Sequence, residues 1–134
     1  MASAQGKLTI ATCQFAVGAL IERNAKQIRK YIERASTAGA QIVHFSESAL
    51  SGYAGIDIPN FVDYDWDALR RETEEIQALA GREGLWVILG SAHRLTSSEK
   101  PHNCLYLIGP DGRIADRYDK RFCLKAELRR YTAV

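Results

Sequence analysis

The sequence contains few cysteines and no long apolar run. Its 134 residues include 3 cysteines, an odd number at wide and irregular spacing, so neither a disulfide framework nor a CxxC motif can be built from them. Reduced thiols are typical of cytoplasmic proteins, and we expect that location here. The N-terminus, Met1–Lys7, is short and polar and lacks the apolar stretch of a secretory signal. No apolar run has the length that a membrane span requires.

The charge balance gives no sign of a nucleic-acid partner. Lysine and arginine number 18 against 16 aspartates and glutamates, a net charge of +2, and no basic stripe with interleaved aromatic residues occurs. Apolar residues make up 46% of the chain and charged residues 25%, which is the balance of a soluble globular protein. The length predicts one domain, residues 1–134.

Several motifs that would indicate a cofactor or a metal are absent. There is neither a GxGxxG nor a GxxxxGK[ST] loop to hold phosphates, and no HExxH. His44, His93 and His102 are too scattered to suggest a metal site, so each is interpreted as a strand or loop histidine. No GxSxG elbow indicates a nucleophilic serine. We therefore expect no cofactor and no metal ion.

Hydrophobic periodicity predicts an α/β fold, in which helices pack on a sheet. The predicted order is β-α-β-α-β-β-β, with these elements: strand Leu8–Phe15, helix Ile21–Ala38, strand Gln41–Ser46, helix Asp67–Arg82, strand Leu85–Leu89, and a hairpin of Asn103–Ile108 with Ile114–Tyr118. The strand Leu85–Leu89 is apolar on both faces, so we expect both to be covered. The loop Ser48–Tyr64 is expected to contribute pocket walls.

Glu47 follows the second predicted strand and has two interpretations. If strand alternation continued through it, Glu47 would share an apolar face with Val43 and Phe45, where a partly desolvated carboxylate could serve as a general base. The alternative, which the strand pattern by itself favours, is that the strand has ended and Glu47 is a solvated loop residue. Lys120 is similar: it follows another predicted strand, where most lysines are solvated edge charges, although active sites of α/β proteins tend to lie at strand ends.

The joint pattern changes this balance. Four segments occur in the order typical of the nitrilase superfamily of carbon–nitrogen hydrolases, and together they resemble that family from Leu8 to Tyr131. The first segment is the opening strand TIATCQ (residues 9–14), and the second is FSESALSGY around Glu47 (residues 45–53). The third begins at Asn103 with a strand, continues through Asp111-Gly112 and ends in YDKR around Lys120 (residues 118–121). The fourth is Glu127 with Tyr131 four residues on.

The resemblance implies part of an α-β-β-α sandwich that hydrolyses non-peptide carbon–nitrogen bonds. In that family a cysteine thiolate attacks the substrate carbon, a glutamate moves protons and a lysine stabilises the negative charge. Carried over, Glu47 is the base, Lys120 the cationic stabiliser and Glu127 an accessory glutamate. The implied substrate of the full-length form is a small amide or nitrile, with no nucleic acid or membrane involved. The later strands that would complete the fold have no counterpart here, so apolar surface and strand edges are left open and we expect a homo-oligomer.

Two departures from the family pattern stand out. Ser46 replaces the proline that usually precedes the glutamate, so we expect a local backbone difference. After Tyr131 the pattern runs into Pro-Gly, whereas here Ala133-Val134 closes the sequence. We therefore expect a hydrolase domain truncated at its C-terminus.

The nucleophilic cysteine has no counterpart in the sequence. Cys13 and Cys104 lie within predicted strands and are interpreted as small apolar core residues. Cys123 lies three residues after Lys120, but its position does not match the family nucleophile. The chain is thus expected to be inactive alone. The alternative is a non-catalytic binding or assembly module that keeps the hydrolase fold.

Overall fold

A computed structural model describes residues 6–96 and 99–134. It contains five strands, two α-helices and a short 3-10 turn. These are β1 Ile10–Cys13, α1 Ile21–Thr37, β2 Ile42–Phe45, α2 Trp66–Glu83, β3 Trp86–His93, β4 His102–Ile108, β5 Ile114–Asp119 and the 3-10 turn Glu127–Arg129. The α/β class and the β-α-β-α-β-β-β order predicted from the sequence are confirmed.

The strands form one sheet in the order β1-β2-β3-β4-β5. The first three are parallel, as expected for strands joined by helical crossovers, whereas β4 and β5 run antiparallel as a hairpin. The hairpin turn lies where Gly109 to Gly112 predicted it: the Gly112 N–H donates to the Gly109 carbonyl at 2.9 Å, and Gly112 has a φ of +77°. This topology places the C-terminal ends of β2 and β5 at the same edge of the sheet, with β3 and β4 between them.

Both helices pack on the same face of the sheet and form the core with it. The amphipathic stripe of α1 buries Ile28 and Ile32 completely, and α2 buries Ile76. These side chains meet Val43 and Phe45 of β2 in one cluster. Each fully buried side chain of this size stabilises the fold by roughly 1.5–3 kcal/mol, so this face accounts for most of the packing energy.

The helix ends follow their local sequence signals. The Asp65 side chain accepts a hydrogen bond from the Ala68 N–H at 2.8 Å and caps α2, so the helix begins one residue before the predicted Asp67. Gly84 ends it in the left-handed conformation, with a φ of +64°. Gly39, predicted to end the first helix, has a φ of +75° and follows the cap residue Ala38.

The opposite face of the sheet is open within the described residues. Ile10 is 53% exposed, Trp86 41% and Tyr118 50%, although all three are apolar or aromatic and lie on strands. In the strand Leu85–Leu89, only the side of Val87 and Leu89 is buried. Coverage of the other face by strands that these residues do not supply stays a prediction.

Two strands, β1 and β3, differ from prediction by more than one residue. β1 is shorter than Leu8–Phe15, because its pairing with β2 covers only Ile10 to Cys13. β3 is longer than Leu85–Leu89 and continues to His93, which pairs with His102. This extension matters for the site, since its first residue, Gly90, packs against the turn around Glu47.

Candidate active site

Glu47 lies in the turn that follows β2. The strand ends at Phe45, so Glu47 does not continue the apolar face, and its side chain remains 48% exposed. The desolvated strand position considered for Glu47 is thus wrong. The chain turns because Ser48 takes a φ of +54°, and the Leu50 N–H donates to the Gly90 carbonyl at 3.0 Å, which ties the turn to β3.

Gly90 lets the turn around Glu47 sit directly on the sheet. A Cβ at Gly90 would collide with the Ser46 carbonyl oxygen and would lie 2.7 Å from the Ser48 nitrogen, both backbone atoms that cannot swing away. Only glycine permits this approach. The position was missed by the sequence analysis, although an isolated glycine inside a strand pattern is a recognised signal of close backbone approach.

Lys120 is the first residue after β5, and its backbone continues the ladder, since its N–H donates to the Asn103 carbonyl at 2.8 Å. The side chain crosses to Glu47, and the distance from Lys120 Nζ to Glu47 Oε1 is 2.9 Å. The same Nζ lies 2.7 Å from Glu127 Oε1. The structure thus brings all three residues singled out in the sequence, Glu47, Lys120 and Glu127, into one cluster.

Glu127 is the buried member of this cluster, with only 3% exposure. Three donors satisfy its carboxylate: Lys120 Nζ at 2.7 Å and Tyr53 Oη at 2.7 Å on Oε1, and the Leu124 N–H at 2.6 Å on Oε2. Tyr53 belongs to the loop after Glu47 and was not singled out from the sequence as a partner of Glu127. A buried carboxylate with this many donors is fixed in place as an anion.

The charges of the cluster stabilise one another. Burial by itself would lower the pKa of Lys120, but its hydrogen bonds to Glu127 and Glu47 outweigh that effect and raise the pKa above the usual lysine value. Burial would raise the pKa of Glu127, whereas the hydrogen bonds from Lys120, the Leu124 N–H and Tyr53 reverse this and hold the pKa below its usual value. At neutral pH the pair is therefore an ammonium and a carboxylate.

An open cavity of about 340 Å³ adjoins the cluster on the uncovered face of the sheet. Its lining residues are His44, Phe45, Ser46, Glu47, Asn103, Cys104, Leu105, Tyr118 and Lys120. The walls are mainly apolar, and the charged groups lie at one end. The loop Ser48–Tyr64, expected to form part of the wall, does not line this cavity; it reaches the cluster through Tyr53 instead.

None of the three cysteines has an activated thiol. Cys13 and Cys104 are buried, as predicted for apolar core residues, and burial raises the pKa of each, that of Cys104 to about 12. Burial and the neighbouring Glu127 carboxylate also raise the pKa of Cys123. A raised thiol pKa means less thiolate at neutral pH, and the thiolate is the nucleophile.

The histidines lie apart from the cluster or only at its margin. His93 Nδ1 lies 2.6 Å from Tyr106 Oη on the helix-covered side of the sheet, and its pKa is lowered by burial and by Arg117. His44 is exposed and lines the cavity wall. Among residues 6–96 and 99–134, no group of three or more His, Cys, Asp or Glu side chains is arranged to hold a metal ion.

Neither described α-helix combines the length and apolar composition that crossing a bilayer requires.

The sequence resemblance implies part of an α-β-β-α sandwich, and a mixed sheet with helices on one face is such a part. The cluster of Glu47, Lys120 and Glu127 lies beyond the ends of its strands. The chain belongs to the carbon-nitrogen hydrolase family, whose model matches residues 9–132. The resemblance stated from the four sequence segments is thereby confirmed.

Solved structures share the fold. An amidase from Nesterenkonia sp. is 18% identical, with a TM-score of 0.80 over 95% of this chain and 48% of that chain. A carbon-nitrogen hydrolase from Helicobacter pylori G27 is 18% identical, with a TM-score of 0.81 over 95% of this chain and 44% of that one. The C. elegans NitFhit protein is 23% identical, with a TM-score of 0.69 over 88% and 30%. The chain thus spans about half the length of these relatives or less. No curated protein matches it.

Proposed function

We propose that these residues supply the general base and the cationic stabiliser of a hydrolase that cleaves small amides or nitriles, and that the nucleophilic cysteine comes from outside residues 1–134. Glu47 is the base, Lys120 the stabiliser, and Glu127 an accessory carboxylate that holds Lys120. The observation that carries the proposal is the 2.9 Å contact between Lys120 Nζ and Glu47 Oε1 at one end of the cavity, made by residues 73 positions apart.

The chemistry assigns each group one task. Glu47 accepts the proton of the cysteine thiol, and the thiolate attacks the carbonyl carbon of the amide. Negative charge develops on the carbonyl oxygen, where the Lys120 ammonium, already held by Glu127, stabilises it. Glu47 then returns the proton to the departing nitrogen, which leaves as ammonia or an amine. Water, deprotonated by Glu47, hydrolyses the thioester and releases the acid and the thiol.

The need for an external cysteine follows from the thiols that are present. Cys13 and Cys104 are buried in the core, and Cys123 is not activated, since burial and Glu127 raise its pKa. A variant of the Nesterenkonia sp. AN1 amidase carries the acetamide moiety of fluoroacetamide at its active-site cysteine, which supports a cysteine as the family nucleophile. A base and a cation without that thiol cannot form the acyl-enzyme.

Short amides are the first substrates to test. Other variants of the same Nesterenkonia amidase bind butyramide and acrylamide, and the apolar walls of the cavity beside Glu47 suit a small uncharged acyl group. A panel of short aliphatic amides, carbamoyl compounds and nitriles covers the class. The assay compares the 134-residue chain with the product of the reading frame continued past Val134.

The expected result is no turnover by the 134-residue chain and turnover by a continued product that carries a strand-borne cysteine. Cys123→Ala in the short chain is the matched control. Turnover by the short chain that disappears in this variant would contradict the proposal and make Cys123 the nucleophile. A continued frame without a further cysteine would favour a non-catalytic binding or assembly module.

We also propose that the chain self-associates through its open sheet face. Trp86 and Tyr118 expose apolar surface there, and such surface on a soluble protein marks an interaction site when it is contiguous. Sedimentation velocity at micromolar concentration tests this, with Trp86→Lys as the variant expected to weaken association. A compact monomer that melts cooperatively would contradict the proposal and favour the non-catalytic module.

A further inference from the structure

We propose that Asn103 is a positioning residue that fixes the orientation of the Glu47 carboxylate and so selects which of its oxygens takes the proton. The inference rests on the proposed role of Glu47 as the base. Asn103 Nδ2 donates to Glu47 Oε1 at 2.5 Å, across 56 positions of sequence. Lys120 Nζ donates to the same oxygen at 2.9 Å.

Asn103 connects both proposed catalytic residues. Its side chain binds the Glu47 carboxylate, and its backbone carbonyl accepts the Lys120 N–H at 2.8 Å. Asn103 lies near the start of β4, opposite Ala92 of β3, and the Lys120 N–H binds its carbonyl from the other side, so the backbone that carries this amide is held on both sides. The side chain is 3% exposed. A buried donor on a paired strand is a rigid support for a functional carboxylate.

The assignment of the amide nitrogen follows from chemistry. If the amide were turned over, its oxygen would face a carboxylate oxygen at 2.5 Å, and two acceptors cannot share a hydrogen bond at that distance. The donor must therefore face Glu47. Because the amide is neutral, it orients the carboxylate without adding a second positive charge beside Lys120.

The two carboxylate oxygens of Glu47 therefore differ in their hydrogen-bond donors. Oε1 accepts from Asn103 and from Lys120, whereas no described residue donates to Oε2. Oε2 is thus the oxygen with a free lone pair, and it is the one that receives the proton of the nucleophile. Without Asn103 the carboxylate would be held by Lys120 alone and could rotate, so that either oxygen would face the cavity.

The first test needs no activity. In the 15N-labelled chain, the Asn103 side-chain amide proton that binds Glu47 is expected downfield of ordinary amide protons, because its acceptor is charged. Glu47→Gln offers only a neutral acceptor and is expected to move this resonance upfield. The Asn24 amide is the internal control, since its acceptors are the Gly18 and Leu50 carbonyls, and it is expected to stay in place.

The second test measures turnover in the protein that carries the nucleophile. Asn103→Leu keeps the size of the side chain but removes the donor, and it is expected to lower kcat about 10–100-fold with KM little changed, the usual effect of losing a supporting hydrogen bond. Asn103→Asp, closer still in shape, is expected to lower kcat similarly. Gln77→Leu removes a side-chain amide that donates to the Gly112 carbonyl in the hairpin turn, away from the cavity, and it is expected to leave kcat per folded molecule unchanged.

The outcomes separate this inference from the proposed function. An Asn103 amide resonance that ignores Glu47→Gln overturns the inference, whatever the activity. A kcat for Asn103→Leu equal to that of the wild type overturns it too. If the wild type hydrolyses nothing on the panel, the proposed function fails, and the amide resonance alone decides whether Asn103 orients Glu47.

Discussion

Glu47 and Glu127 both accept a hydrogen bond from Lys120 Nζ, at 2.9 and 2.7 Å, yet their surroundings differ. The Glu127 carboxylate is 3% exposed, and donors occupy both of its oxygens. The Glu47 side chain is 48% exposed and has donors on Oε1 only. The two carboxylates bind the same ammonium but differ in their other contacts. Both oxygens of Glu127 have donors, whereas Oε2 of Glu47, beside the cavity, has none among the described residues.

These surroundings suit the two carboxylates to different tasks: holding Lys120 in place and transferring a proton. A carboxylate with donors on both oxygens is a poor proton acceptor, because taking a proton would weaken those bonds. Glu127 is thus suited to fix Lys120 in place. Glu47 is suited to exchange a proton, since Oε2 is free and close to solvent. The environment, rather than residue type, assigns the roles, as in other sites with paired carboxylates.

The largest expected effect is the loss of activity when Glu47, the carboxylate with the free oxygen, is replaced. In the protein that carries the nucleophile, Glu47→Gln is expected to lower kcat about 10²–10⁴-fold, the range for loss of a general base. Because the side chain is half exposed, the free energy of unfolding should change by less than about 1 kcal/mol. Steady-state kinetics and urea unfolding measure the two quantities. Near wild-type kcat would show that Glu47 is not the base.

At Glu127 we expect a large effect on the free energy of unfolding, in contrast to Glu47. Glu127→Gln removes a buried charge from three donors and leaves Lys120 with a weaker partner, so the free energy of unfolding should fall by about 2–3 kcal/mol. Urea unfolding of this variant beside Glu47→Gln makes the comparison direct. Equal stability losses in the two variants would contradict the assignment of Glu127 as the holding carboxylate.

The pH dependence of stability follows from the same residue. The folded-state pKa of Glu127 lies below its ordinary value, so the unfolded chain binds this proton more readily. Its contribution to stability is therefore present above the unfolded pKa and is lost as the pH falls through the folded pKa. Between about pH 6 and about pH 3 the wild type should lose more stability than Glu127→Gln. Parallel slopes for the two proteins would contradict this.

Much of the fold could be predicted because local patterns determine it. Apolar residues at helical spacing predicted α1 and α2, and Gly109 to Gly112 predicted the hairpin. The second half of β3 could not be predicted, because residues 90–93 are not an apolar run. They are a strand only because β4 pairs with them, up to His93 opposite His102, and such tertiary pairing overrides local preference.

The members of the proposed site could be named from the sequence, but the contacts among them could not. Glu47, Lys120 and Glu127 could be singled out through the joint family pattern, whereas strand alternation alone favoured solvated charges. The contacts of Tyr53 with Glu127 and of Asn103 with Glu47 join residues 74 and 56 positions apart. No local pattern encodes a contact over such distances, so the supporting residues emerge only from the three-dimensional arrangement.

The smallest expected effect sharpens the comparison at Tyr53, the hydroxyl donor to Glu127. Tyr53→Phe removes one hydrogen bond, 2.7 Å long, and keeps the ring, whose centroid lies 5.8 Å from that of Tyr131. The packing is thus retained. Lys120 and the Leu124 N–H still hold the carboxylate, so the free energy of unfolding should fall by only about 1 kcal/mol.

The matched control for this hydroxyl is Tyr31→Phe. The Tyr31 ring is stacked on Phe15, with centroids 6.3 Å apart, and its hydroxyl makes no hydrogen bond to a described residue, so no loss is expected. Urea unfolding of the two variants isolates the hydroxyl bond from ring packing. A Tyr53→Phe loss as large as that of Glu127→Gln would mean that Tyr53, rather than Lys120, is the main partner of the buried carboxylate. Equal behaviour of the two phenylalanine variants would mean that Glu127 is held without the tyrosine.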